Sequence, residues 1–250
     1  MNPDFELIVK VRQIHSDTRG SYGSRRMSRQ LWNDGYNIGR YRARSLMKKA
    51  GVLVKRRQRF KRTTDSNHKL PVAANLLNRQ FEVERLDTVW CADITYLWTL
   101  QGWLYLAVVI DLSSRKIVGW AMSNHLKASL VKEALSMGCW RRKPEKGLIH
   151  HSDRGSQYAG SEYQKLLEQY GMSCSMSRKG DCWDNAVVES FFHSLKTEWI
   201  SDIIYRTRDD ARSDVIRYIE MFYNSHRLHS FLGYKTPNAF ESNFTLQKVA

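Results

Sequence analysis

The spacing of apolar positions changes character partway along the chain. At the amino end the period is helical, with a stretch at 5–14, another at 23–33 where Met27 and Leu31 stand four apart, the turn Asp34-Gly35-Tyr36-Asn37, and a further segment at 38–50. This spacing predicts helix, turn, helix, with Ile38, Tyr41, Leu46 and Met47 as the inner face of the second helix. From Val83 onward the pattern becomes that of strands: 88–99, a turn at Leu100-Gln101-Gly102, 103–112, and a third at 116–123 after Ser113-Ser114-Arg115. Connections this short predict an antiparallel meander.

A helix at 127–140, a strand at 147–152, a helix at 161–170 closed by Gly171, and a strand at 172–176 come next. A meander running into alternating strands and helices predicts an α/β mixed sheet with helices on its faces, the element order of an RNase H-like core. The polar stretch 177–185, SRKGDCWDN, predicts a mobile loop leading into a long helix at 186–200. Val188, Phe191, Phe192, Leu195 and Trp199 form the apolar stripe of that helix, and Glu189, His193 and Lys196 share a neighbouring face. A helix at 209–224 and a polar turn ending near Pro237 complete the pattern. The expected organisation is a helical module at 1–54, a basic linker at 55–80, the catalytic-type core at 81–240 and a tail at 241–250.

Charge adds a partner to this outline. The 250 residues carry a net charge of +15, and residues 1–70 hold 18 Lys and Arg against five Asp and Glu, so most of the excess lies at the amino end. Such a patch gathers a polyanion, with nucleic acid as the leading partner and a membrane surface as the other candidate. No apolar run approaches the length of about 18 residues that spans a bilayer, and the amino terminus is too polar for a signal peptide, so a cytosolic protein is expected. Arg40, Arg42, Arg44, Lys48 and Lys49 on the second helix of the pair are the candidate DNA contacts, the bland reading being a solvated basic helix. Cys91, Cys139, Cys174 and Cys182 form no close pair with a suitably spaced His pair, so reduced thiols are expected rather than structural zinc.

Three carboxylates carry the candidate chemistry. Asp93 stands in the apolar strand WCADITYLW, where an ionised side chain is costly unless hydrogen-bonded or bound to metal. Asp153, in HHSDRG, falls where a strand gives way to a loop; Glu189 rides on the long helix. Their local rivals have structural explanations: Asp111 as a turn cap or a partner of Arg115, Asp184 as the cap of the helix starting near Ala186 (with Asn185 as the other candidate), and Asp181 as a solvated loop residue. His150 and His151 point to opposite faces of their strand, so at most one can support the site. Three carboxylates facing one another call for cations, and oxygen ligation favours Mg²⁺ or Mn²⁺ over zinc. Two such ions about 4 Å apart activate a water or a 3′-hydroxyl and stabilise the leaving oxygen in an in-line attack on phosphorus. Lys196 stands where it can reach a phosphate beside them.

Taken together, YGSRRMSRQL with GYNIGRYRARSLMKKAGV, TVWCADITYLWT, HHSDRGSQYAG, DNAVVESFFHSLKTE and YIEMFYNSHRLHSFLGYKTP resemble the transposases of the IS3 family of bacterial insertion sequences, specifically the product of the second reading frame. The resemblance covers nearly the whole chain. It implies a retroviral-integrase-like version of the RNase H fold, Asp93, Asp153 and Glu189 as the catalytic acids, and Lys196 as a contact to the element's end DNA. It also implies nicking at an element end, attack of the freed 3′-hydroxyl on a second strand, and later integration of a circular intermediate. Active transposase in this family is often a frameshift fusion with an upstream product bearing another helix-turn-helix and a coiled coil, a part not seen in this chain. The expected partners are terminal inverted repeats, target DNA and a second copy of the chain that brings two ends together. Two other readings remain: a non-catalytic DNA-binding regulator that keeps the fold, and an RNase H-like nuclease.

Overall fold

A computed structural model describes residues 4–54, 70–178 and 182–249, without the side chains of Cys182 and of 245–249. The basic run 55–69 and Asp181 lie outside the described residues. Three helices open the chain: α1 (Asp4–Asp17), α2 (Ser24–Asn33) and α3 (Arg40–Lys49). The α2–α3 turn closes through Tyr36 N–H to Leu31 O, and Gly35 at φ +92° takes the left-handed position that a side chain would strain. Met27, Leu31, Ala43, Leu46 and Met47 are buried between these helices. Tyr41 is 83% exposed, against expectation, because Ala43, Leu46 and Met47 take the inner positions of α3.

The sheet contains β1 (Val89–Thr99), β2 (Gly102–Asp111), β3 (Ile117–Ser123), β4 (Ile149–Ser152) and β5 (Ser173–Met176), in the order β3-β2-β1-β4-β5. β1, β2 and β3 pair antiparallel, and β4 joins β1, and β5 joins β4, in parallel, as the meander and its sequel predicted. Alternation along the strands gives the sheet two apolar faces. Trp90, Ala92, Ala107 and Val109 pack under α4 (Ala128–Arg142), and Cys91, Leu97, Leu106 and Val108 face the C-terminal helices. β3 and α4 touch backbone to backbone at Gly119, where an added Cβ would lie 2.1 Å from Ala134 O. Short α5 (Ser156–Ala159) and α6 (Ser161–Gln169) link β4 to β5.

α7 (Ala186–Ser194) runs into a π-helical stretch at Leu195–Ile200, and α8 (Arg208–Ile216) into another at Arg217–Tyr223. The predicted stripe Val188, Phe191, Phe192, Leu195 and Trp199 is buried, and the two π stretches meet where Trp199 stacks on Phe222. Residues expected to be a tail form α9 (Pro237–Val249), whose Glu241 accepts from Lys116 and Arg142. Residues 70–80, expected as linker, pack on the core instead: Leu77 is buried, and the Leu76 N–H donates to Ser175 Oγ.

The amino-terminal helices are fastened to the C-terminal ones. Glu198 accepts from buried Arg227 at 2.6 Å through two nitrogens and from Arg26 of α2 at 3.0 Å. Arg19 pairs with Asp214 and stacks 3.6 Å above Trp199, and Tyr22 bonds the backbone of His226 and Leu228. Among the described residues no helix is long and apolar enough to cross a membrane.

Two stability outcomes follow from these contacts. Gly119→Ala lowers unfolding free energy by about 1–3 kcal/mol or more, because the backbone of α4 cannot withdraw without opening the core; urea unfolding at one m-value measures it. Glu198→Ala leaves buried Arg227 without its counter-charge and costs about 3–5 kcal/mol in the same assay. A change below about 0.5 kcal/mol in the latter would show that the cluster does not hold the two helical regions together.

Candidate active site

Strand register sets two of the three singled-out carboxylates side by side, and a pinned helix carries the third. Ala92 of β1 and Ser152 of β4 are register partners in a parallel pair, so Asp93 and Asp153, each one residue further on, leave neighbouring strands side by side. Asp93 Oδ1 accepts the Ile94 N–H at 2.7 Å, and Asp153 Oδ1 accepts the Gly155 N–H at 2.9 Å. Asn185 Nδ2 donates to the Ala92 carbonyl at 3.1 Å, which fixes the start of α7 against β1 beside Asp93. Glu189 follows Asn185 by about one helical turn and is exposed. Asp93 and Asp153 are half-buried.

The Asp93 carboxyl senses the other two acids through space. Burial, then the charge of Asp153 and more weakly that of Glu189, push the Asp93 carboxyl well above the usual carboxylate range, against the Ile94 N–H and the Lys196 charge. Lys196 is half-buried on the π-helical continuation of α7, with its Nζ 5.4 Å from the centroid of the Tyr96 ring. Burial lowers its pKa and Asp93 raises it. A half-buried acid under pressure from two other acids is the donor set expected of a site completed by a cation, since cation binding converts that repulsion into attraction. Among the described residues no group of three or more His, Cys, Asp or Glu side chains is placed to hold a metal ion.

The rivals separate from the site for stated reasons. Asp111 is fully buried and caps its turn through Ser114 N–H and Oγ at 2.8 Å, while the Asp87 N–H donates to its other oxygen at 2.9 Å. Burial pushes its carboxyl up to about 6. No ion pair joins it to Arg115, whose Nη2 goes to Phe81 O instead. Asp184 is not the cap of α7. It is fully buried and accepts from Arg178, Arg79 and Asn75, holding its carboxyl well below the usual range with Arg178 as the largest cause. Asn185 holds the N-cap position without a side-chain cap bond.

His150 and His151 are both fully buried, and neither hydrogen-bonds the three acids. His150 pairs with Tyr163 at 2.9 Å, and burial drops its pKa to about 3. His151 lies between Ser175 and Ser177, with its pKa lowered to about 4 by burial. Cys91, Cys139 and Cys174 are free thiols. On α3, Arg40, Arg42, Arg44, Lys48 and Lys49 are all exposed, and Arg42 and Lys49 converge on Asp4 at 3.5 and 2.5 Å. Asn185 is a positioning residue that sequence reasoning took only for a helix cap. Its long-range bond to β1 has no local signature.

Comparison with known proteins agrees with this fold. Residues 84–182 and 170–237 match two families each described as an integrase core domain, and residues 3–60 match an HTH-like domain. The chain is 44% identical over 241 residues to the uncharacterized 31 kDa protein of insertion element IS600 from Shigella sonnei, covering 96% of this chain and 89% of that one. It is 41% identical over 236 residues to the transposase for insertion sequence element IS904 from Lactococcus lactis subsp. lactis (strain IL1403), covering 94% and 93%. Identity to transposase InsF for insertion sequence IS3A from Escherichia coli (strain K12) is 43% over 221 residues, covering 88% and 77%. Among solved structures, a chain of the simian T-cell lymphotropic virus intasome in complex with PP2A regulatory subunit B56 gamma superposes with a TM-score of 0.53 at 17% identity, covering 90% of this chain and 72% of that one. That likeness is one of fold. With relatives above 40% identity along most of its length and an integrase core that carries the sheet and its acids, the chain belongs to the IS3 family of insertion-sequence transposases, enzymes of DNA transposition and integration.

Proposed function

We propose that Asp93, Asp153 and Glu189 are the catalytic acids of this transposase and that they hold the divalent cations, Mg²⁺ or Mn²⁺, on which strand cleavage and strand transfer depend. The observation that carries the reading is the parallel register of β1 with β4, which sets Asp93 beside Asp153; the upward push on the Asp93 carboxyl from burial and from the other two acids agrees with it. When bound, a pair of such ions supplies Lewis-acid activation of the attacking oxygen and charge stabilisation at the leaving oxygen. The protein's part is placement. β1 and β4 fix Asp93 and Asp153 through backbone register, Asn185 fixes the end of α7, and Glu189 closes the set from a helix. In cleavage, a water oxygen forms a bond to phosphorus, the bond to the 3′-oxygen breaks, and the proton lost by water is balanced by the one the 3′-oxygen takes up. In strand transfer the freed 3′-oxygen bonds to a phosphorus of the second strand, the bond from that phosphorus to its own 3′-oxygen breaks, and the proton lost by the attacking hydroxyl is balanced by the one the leaving oxygen takes up. No covalent bond to the chain forms.

DNA is the partner of the HTH-like and integrase-type regions. At the finer level, Arg40, Arg42, Arg44, Lys48 and Lys49 on α3 contact the terminal inverted repeat, and Lys196 contacts a phosphate beside the acids. Lys196 is supported by its burial and its attraction to Asp93; the α3 residues are supported by exposure and charge. Two copies of the chain bring two element ends together, and an upstream-frame product joins them as partner or fusion. Work inside the cell on chromosomal DNA fits this role.

Two outcomes test the site. Asp153→Asn and Glu189→Gln each lower end cleavage and joining with Mg²⁺ by more than about 100-fold, beyond the 10–100-fold span typical of removing a contact that only supports a metal ligand. End-DNA binding in chelator stays at the wild-type level. Wild-type joining rates in both variants would sink the assignment, and a wild-type chain that binds ends but leaves them intact with Mg²⁺ would be the regulator instead.

The second outcome concerns pH and metal. A carboxyl raised in the folded state contributes stability that is present at acid pH and lost as pH rises above the ordinary Asp value of 3.8 through the folded value. In metal-free protein, Asp93→Asn therefore raises the thermal midpoint at neutral pH, and the gain shrinks toward pH 4. Millimolar Mg²⁺ raises the midpoint of the wild type and not of the variant; differential scanning fluorimetry across pH reads both.

A further inference from the structure

Aromatic side chains stand outward at the end of the sheet where β1 turns into β2. Antiparallel register sets Tyr96 opposite Tyr105 and Trp98 opposite Trp103, so they share one face, while Leu97, Thr99 and Leu104 point to the other and are buried. On the shared face the core under α4 ends at Ile94 and Tyr105, both half-buried, and beyond them Trp98 is 55% and Trp103 42% exposed. The rings meet edge to face, Tyr96 and Trp103 at 5.0 Å between centroids and Trp98 and Trp103 at 4.8 Å. Edge contact leaves flat ring surface turned away from the cluster. A parallel bridge of Thr99 with Tyr205 puts Ile204, 77% exposed, on the same outer face beside Trp98. Cross-strand aromatic pairs stabilise any hairpin, but contiguous apolar surface left in water marks a binding face.

Charge and position select what this face binds. Lys196 Nζ lies 5.4 Å from the Tyr96 ring centroid, and Arg208 Nε donates to the Trp103 carbonyl at 3.0 Å, so cations border the cluster. The acids that follow Arg208 are engaged locally: Asp210 closes a capping box with Thr207, and Asp209 pairs with Arg212 at 3.6 Å. Rings bordered by cations suit a ligand that is flat and apolar but linked through anions, which describes nucleotides with unpaired bases. β4 lies beside β1 only over 89–92, so among the described residues the edge of β1 from Asp93 to Trp98 has no strand partner. Lys196 reaches round that edge, since its Nζ lies over the Tyr96 ring and Asp93 acts on its charge. Tyr96 and Trp98 stand roughly 10 and 17 Å beyond Asp93 along the strand. A stacked nucleic-acid strand covers that span in about three to five nucleotides.

We propose that the aromatic face of the β1–β2 hairpin stacks the bases of an unpaired DNA strand, with Trp98 and Trp103 as the platform and Tyr96 linking it to Lys196. Such a platform grips bases by their flat faces and is blind to sequence, so it retains a melted strand close to Asp93 without reading it. The proposal rests on DNA as the partner and not on the roles of the three acids, so it is tested in chelator, where no strand is cut.

The experiment compares the affinity of the whole chain for a labelled single-stranded oligonucleotide with that for an abasic strand of equal length, which keeps the phosphates and lacks the bases. Wild type binds the base-bearing strand roughly tenfold more tightly. Trp98→Ala and Trp103→Ala each remove most of that preference and leave the salt dependence of binding unchanged, because no phosphate contact is lost; Trp98→Phe retains the preference. Trp140→Ala removes another exposed indole, near the C-terminal end of α4, and changes neither quantity. Both platform rings are exposed, so their replacement leaves the fold intact, which circular dichroism checks. A preference in Trp98→Ala and Trp103→Ala equal to that of wild type overturns the proposal. Equal binding of the two strands by wild type overturns the stacking role and leaves DNA as the partner, whereas failure of wild type to bind either strand overturns both. A retained preference together with a lower sedimentation mass of DNA-free Trp98→Ala assigns the face to a second copy of the chain and overturns DNA as its occupant.

Discussion

The candidate site of this transposase is constrained first by a carboxylate on the central strand, Asp93, set beside Asp153 by strand register. Asp93 cannot withdraw, because it belongs to the strand at the centre of the sheet, and its carboxyl is displaced upward by burial and by its neighbours. Such an arrangement persists only where the surrounding structure is stronger than the repulsion. Here the strength comes from backbone pairing on either side of β1, from Asn185 tied to the Ala92 carbonyl, and from the buried aromatic stripe of α7. Asp184 adds a further anchor. By collecting Arg178, Arg79 and Asn75 it ties the end of β5, residues 75–79 and the approach to α7 to one buried carboxylate.

The amino-terminal helices depend on a different device. Their docking on the core combines an apolar core cluster with ion pairs in which Arg26, Arg227 and Glu198 satisfy one another. Such a cluster contributes less to net stability than to orientation, since an approach that leaves any of the three unpaired is disfavoured. Basic α3 therefore stands at a defined angle to the three acids. α3 and the strands that carry Asp93 and Asp153 are thereby parts of one packed body.

Much of this was legible in the sequence where periodicity and burial coincide. The meander, the parallel strands and the stripe of α7 follow from alternation and helical spacing, and Asp93 is conspicuous as a charge in an apolar strand. What escaped depends on partners distant in the chain. Asp184 looks like a helix cap until Arg79, over a hundred residues away, is placed beside it. Residues 70–80 look like a continuation of the basic linker because their apolar residues, Leu70, Val72, Leu76 and Leu77, have no clear period, and the burial of Leu77 is decided by the core it meets. Polar composition hid α9, whose Glu241 is buried against Lys116 and Arg142. The π-helical stretches after α7 and α8 have no sequence signature; they are stabilised by the packing of Trp199 against Phe222 and Tyr218. His150 and His151 have the chemistry of site residues, yet both are buried in the core.

The parallel pairing of β1 with β4 has a consequence for how such a chain can change over time. Asp93 and Asp153 meet because Ala92 stands opposite Ser152, and nothing in the long excursion through β2, β3 and α4 enters that relation. Residues can be gained or lost in the connecting turns, such as 143–147, without disturbing it. A single residue gained or lost within β1 or β4 would turn one acid to the opposite face of the sheet and end the encounter. Drift in length is thus cheap between the strands and fatal within them.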